Sequence, residues 1–96
     1  MHENIEKMNR SELLNYRRLI KAKKTLALAT IRANNIKLEA LEEEMIALVK
    51  CNKQEELRRE SEIAEKLDNE KNQTTGWLKV YDETIERIDR EIIERG

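Results

Sequence analysis

Proline is absent from this chain of 96 residues, and glycine occurs only at positions 76 and 96. Tight hairpins and loop-rich folds need those two residues at fixed backbone positions, so an all-β architecture is excluded at the outset. The residues that remain are strong helix formers. Glu, Lys, Leu and Arg together make up nearly half of the chain, and their side chains lose little rotamer freedom in a helix. The expected class is all-α, with two to three long helices in an antiparallel hairpin or coiled-coil bundle.

A chain of this length holds at most one small domain, residues 1–96. Ten Ile and eleven Leu, with a net charge of only −1, set it apart from disordered chains. With no Phe, however, the core of a single copy is thin, and self-association as a homodimer is expected to supply the missing surface. The longest local apolar cluster, Leu26-Ala27-Leu28-Ala29, is far short of a membrane span, which needs roughly 20 apolar residues. The polar opening, Met1 to Arg10, lacks the apolar stretch of a secretory signal, so a soluble, cytoplasmic protein without membrane contact is expected.

Three helical stretches follow from periodicity and capping. Asn9-Arg10-Ser11-Glu12 has capping-box spacing, with Asn9 or Ser11 as the cap and Glu12 reaching back. Beyond it Leu13, Tyr16, Ile20, Ala27 and Ile31 fall within an arc of about 60° on a helical projection. Leu38, Leu41, Met45, Leu48 and Val49 extend the pattern, which predicts a helix over about 10–50, roughly 60 Å long, either continuous or bent at Asn34-Asn35. A second box at Asn52-Lys53-Gln54-Glu55 marks a break and a new helix over about 53–71. The run Asn69 to Gly76 reads as the strongest turn signal, placing a turn at 72–76 with Gly76 left-handed at the helix end. A last helix, 77–95, then carries Trp77, Tyr81, Ile85, Ile88 and Ile92 at spacings of four, four, three and four.

Charge is unevenly distributed. Residues 10–37 hold eight basic side chains and one acid, whereas residues 39–70 hold eleven acids and five bases. Folding the acidic stretch back on the basic one, or pairing two chains antiparallel, would bring opposite charges together. The same basic stretch also has a nucleic-acid reading. Arg10, Arg17, Arg18, Lys21, Lys24 and Arg32 cluster over about 120° of the first helix, away from its apolar stripe, and such a face can contact phosphates. Neither a zinc finger nor interleaved aromatics accompany it, and the sequence pI of about 5.9 is low for a dedicated nucleic-acid binder.

Chemistry has few candidates. Cys51 is the single cysteine and His2, in a terminus expected to fray, the single histidine, so Cys-His pairs, His-Glu-x-x-His zinc helices and catalytic triads are all missing. Glu39, Glu42, Glu43 and Glu44 share faces of a helix but lack the histidines of di-metal bundles, and no glycine-rich phosphate loop exists. No catalytic residue, metal or cofactor is expected. Trp77 reads first as the opening core layer of a bundle, with Tyr81, and Tyr16 first as a core residue with a wet hydroxyl; because large rigid aromatics dominate protein interfaces, Trp77, Tyr81 and Tyr16 are in second place the candidate contact residues. In composition, rich in Lys, Asn, Ile and Glu, the chain resembles small proteins of AT-rich bacteria and their phages, without a motif that names a family. The expected function is a non-enzymatic protein-interaction module acting as regulator, adaptor or inhibitor. The alternatives are a nucleic-acid-associated transcription factor using the basic face, and a structural coiled-coil component of a larger assembly.

Overall fold

The computed structural model describes residues 4–96. A 3₁₀ turn, Ile5–Lys7, precedes two long helices, α1 (Arg10–Lys50) and α2 (Gln54–Arg95), which pack against each other. No strand occurs among the described residues. His2 lies outside them. Contacts divide the chain into two units, one formed by the chain up to Leu28 together with Gly76–Gly96, the other by Ala29–Thr75. Each unit contains a segment of both helices.

The start of α1 is the reciprocal capping box. Asn9 Oδ1 accepts from the Glu12 N–H at 2.8 Å and Glu12 Oε1 accepts from the Asn9 N–H at 3.0 Å, which satisfies two donors that a helix start leaves over. Asn9, and not Ser11, is therefore the cap. Met8, just before it, packs on the cluster that holds Leu13, the contact pattern of a hydrophobic staple.

The end of α1 is made by asparagine. Asn52 takes φ 56°, its N–H reaches Val49 O at 3.1 Å, and the Lys53 N–H reaches Leu48 O at 3.0 Å, the paired bonds of a Schellman motif. Asn tolerates the left-handed region better than most side chains do. Asn52 thus ends α1 and does not cap α2; the first intrahelical bond of α2 goes to the Lys53 carbonyl.

The expected turn at 72–76 does not form. Residues 69–76 lie inside α2, so the chain has two long helices in place of three. Thr74 and Thr75 fold their hydroxyls back on the carbonyls of Glu70 and Lys71, at 2.8 Å each, which lets polar, β-branched residues sit in a helix. Gly76 keeps a helical φ. Packing prevails over local preference here, because Leu67, Lys71, Thr74 and Leu78 continue the inward-facing positions of α2 at alternating spacings of four and three. Nor does Asn34-Asn35 interrupt α1.

In the first unit the buried residues are Ile5, Leu13, Ile20, Ala27 and Ile88, with Met8, Tyr16 and Ile92 packed around Ile5, Leu13 and Ile88. Leu13, Ile20 and Ala27 recur at intervals of seven. Ile5 joins this core although its segment reads as polar. Arg95 secures that segment: its guanidinium donates to the carbonyls of Glu6 (2.7 Å), Ile5 (3.3 Å) and Met8, and its Nε to Glu91 (3.0 Å), using the fork of donors that only arginine offers. In the second unit Asn34 is 3% exposed and donates from Nδ2 to Leu67 O at 3.3 Å.

Within the chain the acidic stretch does not simply fold back on the basic one. The turn at residues 51–53 cuts the acidic stretch in two, and within the second unit its halves meet each other: Glu44 faces Glu60 and Met45 faces Ser61. Oε2 of Glu60 is shut off from solvent and has no donor while both carboxyls are ionised. A proton shared with Glu44 supplies one, and that hydrogen bond, with desolvation and the neighbouring charge, raises the Glu60 pKa above the usual carboxylate range.

Candidate functional site

The first unit holds the three aromatic residues of the chain along one groove of about 690 Å³. Tyr16 and Ile20 of α1 and Trp77, Val80 and Tyr81 of α2 give it apolar walls, and Lys23, Glu83 and Arg87 supply charges of both signs. Trp77 and Tyr81 are one helical turn apart, so their rings stack, with centroids 6.0 Å apart and planes at 23°. Tyr16 and Tyr81 are half-buried, but Trp77 is 56% exposed and Val80 44%.

Trp77 is therefore not a core layer. Because α2 runs unbroken through residues 72–76, its register is set along the whole helix, and the inward position falls on the half-buried Leu78. The inward series is Leu78, Tyr81, Ile85, Ile88 and Ile92, not one starting at Trp77. The half-exposed indole, stacked on Tyr81 beside the exposed Val80, is an aromatic surface that packing within the chain leaves in water.

The six basic candidates meet a different fate. Arg17 Nε lies 2.6 Å from Asp89 Oδ1, and its Nη2 reaches Oδ2 at 3.4 Å; Lys24 Nζ lies 2.6 Å from Asp82. The hydrogen bond and the charge of Asp89 hold the Arg17 guanidinium above its ordinary pKa, so it stays cationic with its counter-ion built in. Lys21 lies along a shallow surface that also contains Asp82 and Glu86, and Arg10 and Arg18 are exposed on the same unit. Arg32, exposed as well, belongs to the second unit. Acids of α2 thus interrupt the face that the helical projection draws as uniformly basic.

Among the described residues there is no group of three or more His, Cys, Asp or Glu side chains arranged to hold a metal, and no helix is long and apolar enough to cross a membrane. Cys51 is an exposed thiol in the turn between the helices. No protein-family model, no curated protein and no solved structure matches the chain.

Two features escape a reading of the sequence by its apolar seam. Val80 falls off that seam and gains meaning only beside Trp77. Ile5 sits in a polar segment and is a core residue through contacts distant in the chain: it clusters with Leu13 and Ile88, and Arg95, ninety positions away, donates to its carbonyl.

Proposed function

We propose that this protein is a non-enzymatic interaction module that receives an amphipathic helix of another protein in the groove around Trp77. The observation that carries the reading is the exposed indole stacked on Tyr81 in an apolar groove between two helices. Grooves of this kind accept the apolar face of a helix at positions three and four residues apart. Charges of both signs around it favour a helix with mixed charged flanks over an anionic ligand such as nucleic acid. Regulator, adaptor and inhibitor all fit this binding mode. The lone thiol at Cys51 suits a reducing compartment such as the cytoplasm.

The test is photo-crosslinking from a benzophenone side chain at position 77, followed by titration of the purified crosslinked protein against the parent and Trp77→Ala. The reading expects a second, different protein whose affinity falls by roughly 30-fold or more in the variant, as for an aromatic hot spot. Crosslinks only between copies of this chain, or equal affinity for both forms, would overturn it.

A further inference from the structure

The two walls of the groove differ in charge. On α2, Glu83 and Arg87 lie one helical turn apart with opposite signs, both exposed, and Arg87 leans toward Glu6 at 3.9 Å. On α1 the wall is Tyr16, Ile20 and Lys23, so Lys23 is its single charge. Arg17 and Lys24 of the same helix close on Asp89 and Asp82 at 2.6 Å each, outside the groove. Lys23 is half-buried and makes no ion pair among the described residues. Its own helix supplies no partner, because α1 has no acid between Glu12 and Glu39, and Glu83 across the groove is not paired with it.

We propose that Lys23 selects the helix that docks, given that the groove is a docking site: the flank of that helix facing α1 carries a carboxylate, Asp or Glu, beside the apolar residues that cover Trp77 and Val80. A lysine buries its stem along apolar surface and keeps its ammonium in water. A helix seated on Trp77 and Val80 covers the groove and takes that water away. An ammonium stripped of water without a counter-ion is costly, and a carboxylate set against it removes the cost through a charge-assisted hydrogen bond.

Glu83 and Arg87 make no such demand. Both stay at the exposed edge, where charges act more on the rate of encounter than on affinity, and their signs offset each other. The groove as a whole thus presents two cations and one anion, with the unmatched cation on the α1 wall. A helix with a basic residue on that flank meets Lys23 charge to charge and is rejected, so one side chain both attracts the acidic flank and excludes its opposite.

The test uses three stapled alanine-based helices without aromatic residues, each with leucines at i, i+4 and i+7 and differing only in one flank, which carries Glu, Gln or Lys. Trp77 is the single tryptophan, so its emission reports binding without a label. For the parent protein the Glu helix should bind roughly tenfold tighter than the Gln helix, as a hydrogen bond to a charged group does, and the Lys helix should bind weakest. In Lys23→Met, which keeps the apolar stem and should keep the helical circular dichroism, the three affinities should converge on that of the Gln helix; Glu83→Gln should preserve the order. Equal affinities in the parent, or an order that survives in Lys23→Met, would overturn the selection by Lys23 and leave the groove a docking site. No response of Trp77 to any of the three would overturn the docking site as well.

Discussion

Ile88 is fully buried and, with Leu13, is one of the two largest side chains withdrawn completely from solvent. It sits among Ile5, Leu13, Met8, Tyr16 and Ile92, contributed by the 3₁₀ turn and both helices. Truncation to alanine removes three carbons, a transfer loss of about 2.4 kcal/mol at roughly 0.8 kcal/mol per carbon. The cavity adds to that loss, because helices held at several points cannot close fully around it, so the expected cost of Ile88→Ala is about 2–4 kcal/mol. That is a large share of the roughly 5–10 kcal/mol available to so small a protein and corresponds to a fall in melting temperature on the order of 10–30 °C. The reference variants are Arg87→Ala and Arg90→Ala on exposed positions of the same helix. Arg87 makes one ion pair, with Glu6 at 3.9 Å and both side chains at least half exposed, so each reference should lose less than about 1 kcal/mol. Thermal melts at matched protein concentration decide the matter, since the melting temperature of any chain that self-associates depends on its concentration. Equal small losses at positions 88 and 90 would show that α2 is not packed along Leu78, Tyr81, Ile85, Ile88 and Ile92.

Other substitutions probe the turn, the helix interior and the facing carboxyls. Gly76→Ala should raise stability by about 0.5–1 kcal/mol in denaturant unfolding, because the position is helical and a methyl group there meets nothing within 4 Å; a loss would mean that Gly76 needs a non-helical backbone after all. Asn52→Ala should cost about 1 kcal/mol, and Asn52→Gly should not, since the left-handed φ of 56° penalises a β-carbon that has no compensating polar group. Glu60 binds its proton more tightly folded than unfolded, so its pairing with Glu44 weakens the fold above the raised pKa, and the loss is relieved as pH falls through it. Glu60→Gln should therefore melt higher than the parent at pH 7, with the advantage shrinking as the solution is acidified; an advantage constant with pH would show that the two carboxyls do not interact.

How much of this was legible in the chain depends on the range of the interaction. The capping box at Asn9 and Glu12, the end of α1 at Lys50 and the seven-residue spacing of Leu13, Ile20 and Ala27 are local patterns, and each is present as read. The expected turn at 72–76 rested on the preferences of Asn, Thr and Gly, worth a few tenths to about 1 kcal/mol each, and the inward positions on either side of it outweigh them. One wrong break displaced the register after it, which is why Trp77 read as a core residue and Leu78 was passed over. The basic face was drawn on one helix, and a projection of one helix cannot contain Asp82 and Asp89 from the other.

Trp77 is the single tryptophan, so its fluorescence reports on the groove without labels or a known partner. The most direct measurement is collisional quenching of that fluorescence by acrylamide and by iodide, on the parent protein at concentrations where sedimentation has fixed its mass. An indole that is 56% exposed and stacked on Tyr81 should emit to the red and be quenched by both reagents. Blue-shifted emission that neither reagent quenches would mean that the chain or its second copy already fills the groove, and would contradict its assignment as a docking surface.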